Sequence, residues 1–440
     1  MKIQTNKDLI SRSLSAVWHP CSQMKQYESF PLVPIARGSG AWLYDFDGNK
    51  YLDAVSSWWV NLFGHSNPSI NAALRDQLEK LEHVMLAGFT HEPVVELSER
   101  LRELAPPGLG HCFYGSDGAS ATEIALKMSA HYWRNTGQPD KSQFISLQDS
   151  YHGETLGALS VTDVALFRDA YGALIKQQAT VISPDWRHAE AGESSEAYAL
   201  RCAGALESHL QQHHAQLAAF IIEPLVQGAA GMAMYHPAYL KRARELCDQY
   251  DVHLIADEIA VGMGRTGTMF ACEQGGISPD FLLISKGITG GYLPLSIVMT
   301  SDTIYQAFYD DKTSRGFLHS HSYTGNPLAC RAALATLDIF KQNEVLSENR
   351  RKAEYLNRIA APLKNHPKVK SFRNTGMIWA FEVESPHADF AQRCFSLALS
   401  QEILIRPMGK TVYFMPPYVI SESEIEILVM RTLTLVESLT

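Results

Sequence analysis

The chain has 440 residues, a hydrophobic share of 46% and a formal net charge of -9. That length suits a large domain with a smaller one beside it, the composition suits a soluble globular protein with a sizeable core, and neither the charge nor any Lys/Arg cluster points to nucleic acid or a membrane surface. Seven cysteines without paired spacing argue against a disulfide framework or a zinc site and make a reducing cytosol the expectation. The opening MKIQTNKDLISRSLSAV lacks the apolar stretch of a signal peptide, and no run of about 18 apolar residues predicts a membrane span.

In chain order, residues 1–40 read as irregular, with an aromatic, turn-rich WHPCSQM (Trp18–Met24) and a Pro-spaced FPLVPI. Leu43–Phe46 and Lys50–Ala54 flank Asp47-Gly48 and predict a hairpin. The paired Trp58 and Trp59 that follow suit either a core or the wall of an apolar substrate channel. Asn67–Leu104 carries helical spacing, broken by Pro106-Pro107-Gly108. HCFYGSDGASATEIALKMSAHYWR then predicts a strand, a Gly/Ser turn and a long helix. Gly115, Ser116 and Gly118 leave free N–H groups at the helix start, a plausible phosphate cradle.

QFISLQ predicts a strand that delivers Tyr151-His152-Gly153. The tyrosine ring could lie on a flat cofactor, and the histidine reads equally well as a satisfied structural residue. Residues 184–200 read as a polar loop, and Ala199–His214 as a helix. LAAFII is a strand ending at Glu223, whose alternative reading is a helix-cap carboxylate. Gly228–Gly231 form a loop before an amphipathic helix, HPAYLKRARELCDQYD. This alternation predicts a mostly parallel α/β sheet.

Val252–Ala256 and Phe281–Ser285 are short apolar runs that read as buried parallel strands. The first hands the chain to Asp257 and the second to Lys286, 29 residues further on. Strand C-terminal ends are where open α/β sheets hold ligands. A carboxylate that keeps a proton on a ring nitrogen, with a lysine that condenses with an aldehyde, is the arrangement suited to pyridoxal 5'-phosphate. LPLSIVMTS predicts a further strand, at an edge or antiparallel. A loop with His319, Ser320, His321 and Ser322 precedes another helix, with no convincing metal-ligand spacing. From about Asn343 the chain changes to an α+β pattern, in which Arg406 between EILI and Pro407 could clamp a carboxylate.

IIEP (Ile221–Pro224), LIADEIAVGMGRTG (Leu254–Gly267), SKGITGG (Ser285–Gly291) and TGNPLACRAA (Thr324–Ala333), in this order, resemble the class III (ω-type) aminotransferases of PLP fold type I over nearly the whole chain. The resemblance implies an α/β fold: a large domain with a mostly parallel seven-stranded sheet at 66–340, a small α+β domain at 341–440, and an N-terminal segment, 1–65, that joins the small domain. WHPCSQM, SSWWVNLFGH, THEPVVEL, EPLVQGAAGMAMYHP and IRPMGKTVYFMPPY are similar to members that serve biotin biosynthesis. That implies conversion of the oxo group of 8-amino-7-oxononanoate to an amine, with S-adenosylmethionine as the usual donor, in a cytoplasmic homodimer with a shared active site. The rivals are another ω-aminotransferase and a PLP-binding regulator without turnover.

Residue by residue, Lys286 looks like the Schiff-base lysine and proton carrier, Asp257 like the partner of the ring nitrogen, and Tyr151 like the stacked ring. Glu223 belongs with the cofactor-binding set. Gly118 and Ala119 match the phosphate turn, and His321 and Ser322 the phosphate contact lent by the other subunit. Trp58 and Trp59 resemble the channel pair, and Arg265 and Arg406 substrate-side arginines, Arg406 the better candidate for the oxononanoate carboxylate. Cys21 stands where some members have Tyr, Ser320 where Gly is common, and Ala119 where others have Ser.

Overall fold

A computed structural model describes residues 5–30 and 32–440. Residues 1–4 and Pro31, which fall in the segment expected to be irregular, lie outside it. The chain divides into two compact units: residues 69–349 with 374–376, and residues 1–68 with 350–373 and 377–440.

The larger unit is built on seven strands: β1 (Leu109–Gly115), β2 (Gln143–Leu147), β3 (Ala179–Val181), β4 (Leu217–Ile222), β5 (His253–Asp257), β6 (Phe281–Ile284) and β7 (Ser296–Ser301). Their spatial order is β1-β7-β6-β5-β4-β2-β3. β6, β5, β4, β2 and β3 pair in parallel, while β7 runs antiparallel between β6 and β1. The strand predicted at LPLSIVMTS is thus antiparallel and interior rather than at an edge. β4, β5 and β6 are buried at every position, as expected of strands covered on both faces.

The Gly118–Asn135 helix packs on this sheet. Ile124, Ala125 and Met128 of the helix meet Ile221, Ile255, Leu283 and Val298 of the strands in one apolar core. The reading of 184–200 as loop needs correction. The helix begins at Ser195, because Ser194 caps it by accepting the Ala197 N–H and Glu196 sits in its first turn. The three-residue β3 has no counterpart among the predicted strands, since so short a run carries little periodicity.

The smaller unit holds a sheet of Ile35–Ser39, Trp42–Asp45, Lys50–Asp53 and Ile403–Leu404, and another of Ile378–Val383, Thr411–Phe414 and residues 369–373 of the Val369–Thr375 strand. The hairpin at Asp47-Gly48 forms, with Gly48 at φ 91°. The first 40 residues are less irregular than predicted. Asn6–Ala16 is a helix capped by Thr5, whose side chain accepts the Asp8 N–H, and it buries no residue. Its larger apolar side chains are Leu9, Ile10 and Leu14, of which Leu9 and Ile10 are half-buried.

Candidate active site

The order β6-β5-β4-β2 aligns four strand ends that carry the ionisable and aromatic candidates. Reading across the sheet, β6 leads to Lys286, β5 ends at Asp257, β4 leads to Glu223, and β2 leads to Tyr151 and His152. β1, antiparallel to β7 and so parallel to β6, brings the Gly115–Ala119 turn to the same end.

Asp257 is buried and both its oxygens are engaged. Oδ2 lies 2.7 Å from His152 Nδ1, and Oδ1 accepts the Ile259 N–H at 3.1 Å. His152 is itself buried, and its Nε2 has no hydrogen-bond partner among the described residues. The histidine is held on both sides: its N–H donates to Thr162 Oγ1 at 3.0 Å, and its carbonyl accepts Thr122 Oγ1 at 2.8 Å. The structural reading of His152 is therefore half right. Its backbone is pinned, yet its ring meets the very carboxylate singled out in the sequence. The available signal was its position one residue after Tyr151 at the same strand end.

Glu223 bridges two loops. Oε1 accepts the Tyr151 N–H at 3.0 Å and Oε2 the Gly228 N–H at 2.9 Å, while the Glu223 carbonyl accepts the Tyr235 hydroxyl. It does not cap a helix. Burial raises its carboxyl to about 7, with the Asp257 charge adding to the shift and His152 opposing it. The Tyr151 ring meets Phe167 edge to face at 5.3 Å, and its hydroxyl donates to Glu154 at 2.9 Å.

Lys286 opens a short helical turn at φ 46°. The residue keeps some exposed surface, but packing around its amine lowers the pKa to about 8, against the pull of the Asp257 and Glu223 carboxylates. Such an amine is far more often neutral at physiological pH than a surface lysine.

At the Gly118–Asn135 helix start the Asp117 side chain accepts the Ser120 N–H. The first-turn N–H groups of Gly118 and Ala119 have no intrahelical acceptor, the usual condition for anion binding. Two glycines set the spacing here. A Cβ on Gly118 would lie 3.0 Å from Ile259, and one on Gly153, at φ 120°, would lie 2.5 Å from the Ala119 Cβ. His321 Nδ1 sits 3.1 Å from Ser116 Oγ in the same chain, and Ser320 and Ser322 are exposed. The following helix is capped by Asn326, so the serines do not form its start. Arg265 is buried in the turn after Asp257, where Gly376 approaches its carbonyl so closely that a Cβ would lie at 2.4 Å.

Cys21, Trp58, Trp59 and Arg406 belong to the smaller unit. Cys21 is exposed at φ 50°. Ser56, Ser57, Trp58 and Trp59 form a run at φ 50°, 47°, 73° and 72°, a left-handed turn without glycine. Each such residue costs roughly 1–2 kcal/mol. Trp59 is buried and its Nε1–H donates to the Tyr413 hydroxyl at 3.2 Å. Trp58 is exposed, and the Arg406 guanidinium carbon stands 4.5 Å from its ring centre.

The comparison with known proteins gives this arrangement a family. The Aminotransferase class-III profile matches residues 23–434, and the chain belongs to that family. It is 45% identical over 434 residues to adenosylmethionine-8-amino-7-oxononanoate aminotransferase of Helicobacter pylori, covering 97% of this chain and 96% of that protein. The crystal structure of the enzyme of that name from Methanocaldococcus jannaschii superposes with a TM-score of 0.91 at 35% identity, covering 98% and 99% of the two chains. The ω-transaminase of Pseudomonas jessenii in complex with PMP gives a TM-score of 0.92 at 28% identity, covering 98% and 97%.

The family works with pyridoxal 5'-phosphate, and the residues present fit that group. A lysine of lowered pKa, a buried carboxylate on the neighbouring strand and a helix start whose Gly118 and Ala119 N–H groups have no intrahelical acceptor converge at one end of the sheet.

Proposed function

We propose that this protein is the pyridoxal 5'-phosphate-dependent transaminase that converts 8-amino-7-oxononanoate to 7,8-diaminononanoate, a step of biotin biosynthesis, with S-adenosylmethionine as amino donor. The observation that carries the chemistry is the placing of Lys286 and Asp257 at the ends of adjacent parallel strands. The substrate follows from likeness to relatives of that name along almost the full chain. No described helix is long and apolar enough to cross a membrane, and the reading places the enzyme in the cytoplasm, acting on small molecules.

When bound, the cofactor supplies an aldehyde and an electron-accepting ring. Lys286 would hold the aldehyde through Nζ, and its amine, when freed by the donor amine, would accept the proton leaving the substrate carbon and give it back to the cofactor carbon. Asp257 keeps a proton on the ring nitrogen, and His152 holds the orientation of its carboxylate. Tyr151 covers a ring face. The Gly118 and Ala119 N–H groups take the phosphate, joined by His321 and Ser322 lent by a second subunit in a homodimer. Trp58 and Trp59 wall the substrate path, Arg406 pairs with the oxononanoate carboxylate through its planar fork, and Arg265 supplies a further cation on the substrate side. Cys21 and Ser320 border the substrate.

The test is a half-reaction. Cofactor-loaded enzyme is mixed with S-adenosylmethionine and, separately, with lysine, and the cofactor absorbance is followed. S-adenosylmethionine should bleach the lysine-tethered form, and subsequent 8-amino-7-oxononanoate should restore it. Bleaching by lysine alone would replace the donor, and failure of the oxononanoate to restore the band would replace the acceptor.

A further inference from the structure

The left-handed turn at Ser56–Trp59 holds an unfavourable backbone that something must maintain. The clamp is visible. Asp53, fully buried, ends the Lys50–Asp53 strand, and its carboxylate accepts three hydrogen bonds. They come from the Val55 N–H at 3.2 Å, the Ser57 hydroxyl at 2.8 Å and His65 Nε2 at 3.0 Å. Ser56 Oγ donates to the Met415 carbonyl at 2.7 Å, and Trp59 is fastened to Tyr413. What the turn presents at its apex is Trp58, exposed, with Arg406 on its ring.

The sheet explains the meeting. Ile403–Leu404 runs parallel to the Lys50–Asp53 strand, with Leu404 opposite Asp53. The two chains leave the sheet side by side, one towards Trp58 and the other towards Arg406. A long arginine with no partner on its planar face would sample many rotamers. The indole removes that freedom and leaves the fork edge for a ligand.

We infer that Asp53, Ser57 and His65 form a positioning clamp which, by locking the left-handed turn, uses Trp58 to aim the Arg406 guanidinium and so sets specificity for an acceptor bearing a free carboxylate. This rests on the reading of Arg406 as the carboxylate partner. Ser57 is exposed and touches the clamp through its hydroxyl alone, so it can be changed without opening the core.

The experiment measures KM and kcat for 8-amino-7-oxononanoate and for its methyl ester, which lacks the charge, in the cofactor-loaded enzyme. Ser57→Ala should raise KM for the acid about fivefold, leave KM for the ester and kcat within about twofold, and barely move the melting temperature. Ser57→Gly should raise the acid KM at least as much while the melting temperature holds or rises, since glycine relaxes the turn. Arg406→Ala serves as reference and should collapse the preference for acid over ester. An unchanged preference in Arg406→Ala removes the carboxylate reading and this inference with it. A preference lost in Arg406→Ala but intact in both Ser57 variants, or an equal rise of KM for acid and ester, overturns the clamp alone.

Discussion

At the scale of single residues the chemistry depends on charges made expensive by burial. Lys286 has its pKa lowered from 10.5 to about 8, so at neutral pH about a tenth of it is the neutral nucleophile, far more than for a free lysine. Uptake of pyridoxal phosphate by the apoprotein should therefore accelerate with pH through an inflection near 8; an inflection near 10, by stopped-flow absorbance, would show an unperturbed amine. Lys286→Ala should abolish turnover and the absorbance of the lysine-tethered cofactor. Asp257→Asn should cost at least about a hundredfold in kcat, well beyond any loss of cofactor affinity, because the amide cannot hold the ring proton. Near-normal turnover in that variant would remove the assigned role. Lys286 and Asp257 were legible in the sequence because each comes straight after an apolar run, and Tyr151 because it lies in the turn that leaves the QFISLQ strand, both local patterns. The role of His152 was not, since it depends on contact with a carboxylate 105 residues away.

At the scale of elements, turns between strand and helix hold the site together by close approach. Gly153 can be only glycine: its φ of 120° is open to little else, and a Cβ would strike Ala119. Gly153→Ala should displace the turn carrying Tyr151 and His152 against the helix start at Gly118. Cofactor affinity should fall about tenfold or more, as measured by equilibrium dialysis, while far-ultraviolet circular dichroism stays native. The glycines of this region were visible in the sequence, but the element that each had to admit was not. Periodicity marks an element's type and leaves its neighbours open. The helix Asn6–Ala16, which buries no residue, and the three-residue strand Ala179–Val181 escaped notice as well.

For the whole molecule, Glu223 and Lys286 shape the pH response of the apoprotein in opposite senses. Glu223 has its pKa raised from 4.5 to about 7, so its contribution to stability is present at low pH and lost as pH climbs from 4.5 through 7. Lys286, lowered from 10.5 to about 8, contributes in the opposite sense: its share is present above 10.5 and lost as pH falls through 8. Compared with the Glu223→Gln, Lys286→Met double variant, the apoprotein should show its poorest relative melting temperature between pH 7 and 8; a flat difference across pH 4–10 would show that neither shift is real. If His321 and Ser322 serve the second subunit, the protein should sediment at twice the chain's mass. Mixing Lys286→Ala with Ser322→Ala chains should then restore sites of wild-type cofactor affinity that neither homodimer has.

The sequence by itself determined the alternation of strands and helices, the strand ends that carry Asp257, Glu223 and Lys286, and the motifs that place the chain among the class-III aminotransferases. All of these are written in residues that are neighbours along the chain. Strand order, the interior antiparallel β7, the His152–Asp257 pair, the Glu223 bridge and the clamp under Trp58 were decided by tertiary structure alone. Each joins segments tens to hundreds of residues apart, and the register that brings their side chains together is fixed by packing of the sheet, which no local pattern encodes.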